Sequence, residues 1–156
     1  MRLCFNRCLL AAVLLFGSAA SPVLALDKDA IIGKWYTAER EALVSIYLCG
    51  EHYCGRIIGL KEPKNPDGTE KVDLNNPDQS LRREPIIGLQ FVSDFAFDGE
   101  KKWTGGRIYD PENGKTYSCK MVLDGEHYLK VRGYIGISLL GRTEIWTRAE
   151  TASESQ

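Results

Sequence analysis

The sequence predicts an all-β fold, an eight-stranded antiparallel up-and-down barrel, and three observations carry that prediction. Beyond position 33 the apolar residues come in short runs rich in Val, Ile, Tyr, Phe and Trp, bounded by Gly, Asn, Asp and Pro, and helical periodicity is nearly absent. The runs alternate in period two. This is clearest where Tyr117, Cys119, Met121 and Leu123 oppose Thr116, Ser118 and Lys120, so that a strand has one dry and one wet face, as antiparallel sheets require. Most links are of hairpin length, and eight strands joined in this way remove both exposed edges by closing on themselves. A two-sheet sandwich is the alternative architecture.

Composition agrees with one globular domain. Of 156 residues, 44% are hydrophobic and 26% charged, and 20 basic residues against 21 acidic ones leave a net charge of -1. Collagen, coiled coil and wholesale disorder are excluded, and without a basic surplus no nucleic-acid partner is expected.

Residues 1–25 are read as a secretory signal peptide. Arg2 and Arg7 precede the apolar run Leu9–Phe16, and Val23-Leu24-Ala25 supplies the cleavage site. The run is far short of the roughly 20 apolar residues that span a bilayer, so no stable membrane insertion is expected once it is cleaved. A periplasmic or secreted protein follows. Residues 26–148 form the single barrel domain, with a disordered tail at 149–156, which lacks apolar anchors.

Within that domain, 27–32 is expected to make a short helical turn. Strands are expected at 34–38, 43–49, 54–60, 86–94, 103–109, 115–123, 127–134 and 142–148. Asp98-Gly99, Asn113-Gly114 and Asp124-Gly125 mark tight turns. The exception is 61–85, a link long enough to be functional or mobile, with a helical turn at 80–83. Gly105, Gly106 and Gly133 inside strands suggest bulges or close backbone approach. The apolar tip Ile137–Leu140 is expected to tuck back and plug the barrel end, or else to stand out as a contact patch.

Three cysteines follow the signal segment, and an oxidising compartment allows one disulfide. Three pairings exist; the short loop between Cys49 and Cys54 favours that pair and leaves Cys119 reduced.

Several motifs stand in a fixed order. Gly33-Lys34-Trp35-Tyr36-Thr37, Cys54-Gly55-Arg56-Ile57 and Gly105-Gly106-Arg107-Ile108-Tyr109-Asp110-Pro111 come first. Asn113–Met121, Val131–Gly136 and Gly141–Arg148 follow. Together they resemble the exported bacterial family catalogued as domain of unknown function 2147. The opening Gly-x-Trp is similar to that of the lipocalin-like, calycin-type barrels. The resemblance implies a lipocalin-like barrel in which Trp35 stacks with Arg148 to close one end. It implies no catalytic residue. Many relatives carry Cys where this chain has Tyr134, which the resemblance places opposite Cys119, and that departure agrees with an unpaired Cys119.

The residues offer little catalytic chemistry. His52 and His127 could each face a cysteine, Cys54 or Cys119, but no third orienting group accompanies either pair. Asp67, Glu70, Asp73 and Asp78 lack calcium-loop spacing, so no metal and no cofactor are expected. Nothing pairs the carboxylates of Glu62, Asp73 or Asp94. There is no phosphate loop, G-x-S-x-G elbow or H-E-x-x-H motif. What remains is the interior. Tyr47, Phe91, Trp103, Tyr109, Tyr117, Cys119 and Met121, with Ile87 and Leu89 on the face of Phe91, are the candidates for an apolar lining with a few phenols. The expectation is a non-catalytic barrel that binds a small apolar or amphipathic molecule. The alternative is an envelope protein-interaction module using the 61–85 loop and the 137–140 tip, with a hydrolase or thiol enzyme a weaker third.

Overall fold

The computed structural model describes residues 27–149. The expected signal segment and all of the expected tail except Ala149 lie outside the described residues. The chain forms eight strands: β1 (Gly33–Tyr36), β2 (Ala42–Cys49), β3 (His52–Leu60), β4 (Gln90–Phe97), β5 (Lys102–Asp110), β6 (Lys115–Asp124), β7 (Tyr128–Tyr134) and β8 (Arg142–Arg148). They close in sequence order into an all-antiparallel barrel. Three single-turn 3-10 segments lie in the links, at Ala38–Arg40, Gln79–Leu81 and Ser138–Leu140. The Asp78 side chain caps the middle one by accepting from the Ser80 amide.

One end, the floor, carries the turns at 50–51, 98–101 and 125–127 together with the 27–32 segment. The other, the loop end, carries 37–41, 61–89, 111–114 and 135–141. Cys49 stands opposite His52 across a two-residue hairpin whose Gly50 has φ 70, the first-position glycine of a type II′ turn. That tight turn lets β3 begin two residues earlier than its sequence pattern suggests, and the Cys49–Cys54 disulfide staples the hairpin.

Two bulges decide which side chains face inward. Between the paired levels Trp103–Met121 and Gly106–Cys119, β5 spends two residues where β6 spends one, with Gly105 at φ 74. Parity reverses across that point. Trp103, Gly106 and Ile108 face the interior, and Tyr109, opposite exposed Thr116, turns outward. A second irregularity surrounds Asp94, a non-glycine at φ 64 in β4.

The expected strand 86–94 is therefore displaced to 90–97. Residues 86–89 belong to the long link, whose Val72 and Pro85 form an isolated bridge and whose Ile86 amide bonds to Lys71. Ile86 is buried and Ile87 exposed, so the face assigned to Ile87, Leu89 and Phe91 does not exist as a unit.

The core is one cluster running from the floor to mid-barrel, with Trp35, Val44, Phe95, Trp103, Met121 and Leu129 fully buried. Burying such side chains contributes roughly 1.5–3 kcal/mol each. No helix among the described residues is long and apolar enough to cross a membrane.

Candidate functional site

The floor is closed by chemistry the sequence places at its two ends. Arg148 lies with its guanidinium carbon 4.1 Å from the centre of the Trp35 ring. Its Nε donates to the Glu126 carbonyl (2.7 Å), and Nη2 and Nη1 donate to the carbonyls of Ala30 (2.6 Å) and Ile32 (3.2 Å). Burial pulls its pKa down, opposed by the Glu126 carboxylate. Trp35 Nε1 donates to Ile31 and Trp103 Nε1 to Lys28, so both indoles tie the 27–32 turn to the barrel. The Tyr53 hydroxyl donates to Asp29; burial, and then that carboxylate, push its pKa up to about 12. The closing pair expected from sequence is in place. Ala149, assigned to the tail, donates its amide to Lys34 and continues the seam.

Opposite the floor the interior is less completely covered. Inward-facing residues nearest the loop end, Ala42, Leu60, Ile108, Tyr117, Gly133 and Glu144, are only half-buried, whereas those below them are buried. Phe91 stacks on Trp146 beneath them, with ring centroids 6.0 Å apart and planes at 28°. The interior is thus packed in its lower part, and the less covered layer of side chains above it is the cup. The wall is also low at the seam, because β1 meets β8 at only two pairs, Trp35–Arg148 and Tyr36–Thr147.

The tip does not plug this end. Ile135, Ile137, Leu139 and Leu140 are 70%, 61%, 83% and 78% exposed. Arg132, on the outer face, holds the tip's backbone by donating to the carbonyls of Ser138 (2.8 Å) and Leu139 (3.0 Å).

Of the residues expected to line the interior, Phe91, Trp103, Tyr117, Cys119 and Met121 face inward. Trp103 belongs to the floor and Met121 to the packed core; Phe91, Tyr117 and Cys119 are nearer the cup. Two others face outward. Tyr47 follows Val44 and Ile46 with opposite parity, carries the Arg56 guanidinium on its ring, accepts from Arg56 Nη2 (3.0 Å) and donates to Gln90 (2.8 Å). Tyr109 is turned out by the β5 bulge and donates to buried Asp73 (2.8 Å), which also accepts from Asn76. Burial, and then that hydrogen bond, push the Tyr109 pKa up to about 12. This pair pins the long link to β5. Ile87 is exposed and lines nothing.

Cys119 is a free, buried thiol, and desolvation pushes its pKa up to about 12. Gly133 rather than Tyr134 stands opposite it; Tyr134 pairs with Ser118 on the other face. His52 and His127 are both exposed at floor turns. The loop acids are engaged locally: the Thr69 hydroxyl and amide hold the Asp67 pKa down, and those of Ser80 hold Asp78 down. Among the described residues no group of three or more His, Cys, Asp or Glu could hold a metal. Of two surface concavities, an open groove of about 760 Å³ outside the β1–β8 seam is mainly polar and one of about 480 Å³ beside the floor hairpins mixes polar groups with Leu48, Ala96 and Phe97; neither is lined by the residues of the cup.

Sequence reasoning missed Glu144 and Trp146. The signal was parity: if Arg148 turns toward Trp35, then Trp146 and Glu144, two and four residues earlier, lie on the same side of β8.

The family model described as "Uncharacterized protein conserved in bacteria (DUF2147)" matches residues 33–148. No curated protein matches the chain. Among solved structures, protein HP1028 from the human pathogen Helicobacter pylori, described as belonging to the lipocalin family, is similar. It is 25% identical with a TM-score of 0.67, and the match covers 77% of this chain and 83% of that one. The chain belongs to the DUF2147 family of uncharacterised bacterial proteins, built here on a lipocalin-like eight-stranded barrel.

Proposed function

We propose that this is an exported, non-catalytic barrel, periplasmic or secreted, that holds a small apolar or amphipathic molecule in the cup at its loop end. The observation that carries the reading is the gradient of burial along the inward face: sealed at the Trp35–Arg148 floor, half-exposed at Ile108, Tyr117 and Gly133. Such a surface, apolar with a few polar groups, is what a small-ligand site offers. The lipocalin-family neighbour supports it, and the Cys49–Cys54 disulfide agrees with an oxidising compartment.

Gly133 provides the test. A Cβ there would meet Ile108 and Tyr117 at ordinary contact distances, 3.7 and 3.8 Å. Gly133→Val should therefore fill the cup without unfolding the barrel. In titration with an apolar fluorophore, the wild type is expected to bind and the variant to bind at least about tenfold more weakly, with an unchanged urea midpoint. No binding by the wild type, or equal binding by both, would overturn the proposal.

A second reading, a contact surface for an envelope protein, is favoured by the exposed tip that Arg132 holds rigid. It predicts a discrete crosslinked partner in the periplasm that disappears with the Leu139→Asp/Leu140→Asp double variant. No crosslink, or one indifferent to those changes, counts against it.

A further inference from the structure

Resting on the cup as a ligand site, one step further concerns the head group of its occupant. Three tryptophans are buried in the barrel. Two have indole N–H groups bonded to backbone carbonyls, Trp35 to Ile31 and Trp103 to Lys28. The third does not: Trp146 is 1% exposed, and its Nε1 has no hydrogen-bond partner among the described residues. A buried donor without an acceptor is costly, and native interiors rarely leave one.

Two residues away on the same side of β8, about 7 Å along the strand, stands Glu144, opposite Val131 as Trp146 is opposite Leu129. Two other charged residues of β8 share its parity: Arg142 at the rim, opposite Gly133, and Arg148 in the floor, which leaves Glu144 as the charged one between them. Its nearest cation is Arg142, whose Nη2 lies 3.8 Å away and whose side chain is 87% exposed, so the contact is solvated and too long for a hydrogen bond. One short stretch of wall thus offers an unused donor low down and an unused carboxylate above it.

We infer that the cup takes a small amphiphile whose head combines a protonated amine with a neighbouring acceptor oxygen, as in an amino alcohol. The amine pairs with Glu144, and the oxygen accepts the Trp146 N–H, which is covered in the ligand-free barrel and is reached only as the side chains over it move aside. A carboxylate head is disfavoured, because it would bring like charge against Glu144. Recognition by two adjacent polar groups in an otherwise apolar site is how such pockets discriminate heads on similar tails.

The experiment compares four ten-carbon probes, 1-amino-2-decanol, decylamine, 2-decanol and decanoate, below their micellar concentrations. It uses the signal-free protein and its Glu144→Gln variant, with the three indole N–H resonances read by NMR. The amino alcohol is expected to bind at least about tenfold more tightly than decanoate. The Trp146 indole proton should move downfield while those of Trp35 and Trp103 stay in place. In Glu144→Gln, a half-exposed isosteric change whose folding the same spectra verify, the preference should fall to about threefold or less.

If decanoate binds as tightly as the amino alcohol, if the preference survives in Glu144→Gln, or if the Trp146 resonance is indifferent to a bound probe, the inference falls. If all four heads bind alike, the ligand reading stands and only the head-group assignment fails. If none binds, both fail.

Discussion

Gly106→Ala should destabilise the barrel by about 3 kcal/mol or more, the upper end of what overpacking a core costs and a large part of a typical folding free energy. A Cβ on Gly106 would stand 2.2 Å from Cδ2 and 2.3 Å from Cε2 of Phe95. The Phe95 ring is fully buried among the core aromatics and cannot swing clear. Urea denaturation measures the effect. Two companion variants identify its cause. Gly105→Ala meets no atom within 4 Å but sits at φ 74, so it should cost only about 1–2 kcal/mol of backbone strain. Adding Phe95→Leu to Gly106→Ala should recover part of the loss, because the obstructing ring is removed. A Gly106→Ala protein within 1 kcal/mol of wild type would show that the approach is softer than the geometry indicates.

Arg148→Ala should cost about 3 kcal/mol and open the floor. The change strips the carbonyls of Ala30, Ile32 and Glu126 of their donor and uncovers Trp35. Because Trp35 and Trp103 both bond to the 27–32 turn, tryptophan fluorescence should shift to the red and near-UV circular dichroism should weaken before global unfolding. Arg148→Lys is expected to restore less than half of the loss, since a point charge cannot serve three carbonyls or stack as a plane. Full restoration by Lys would mean that charge alone matters and that the stacked, forked geometry does not.

Much of this fold was legible in the chain. Alternation in Lys115–Leu123 marks β6 and its inward face, turn chemistry at Asp110–Gly114 ends β5 at 109 where the structure carries it to Asp110, and the loop between Cys49 and Cys54 pointed to the disulfide. Failures cluster where parity breaks. A pattern of period two is read by counting; the strand glycines suggest a bulge without saying which residue it adds, so counting alone groups Trp103 with Tyr109 although Gly105 separates their faces. Residues 86–89 resemble a strand because they are apolar, yet Ile86 serves as an anchor for the long link, and that depends on a bridge between Val72 and Pro85 in the folded chain. The candidate site was less legible still. Glu144 reads in sequence as an ordinary solvated charge, and its position inside the wall depends on the β7–β8 register.

The two-pair seam also governs how the molecule can be made. Arg148 bonds to Ala30, 118 positions away, and β1, paired with β2 along one edge, has nothing to join on its other edge until β8 is present. Contacts of such span are slow to form. All eight strands must therefore be available before the cylinder can shut, and until then a seven-stranded ribbon with two bare margins is open to any chaperone or other unfolded chain that reaches it first.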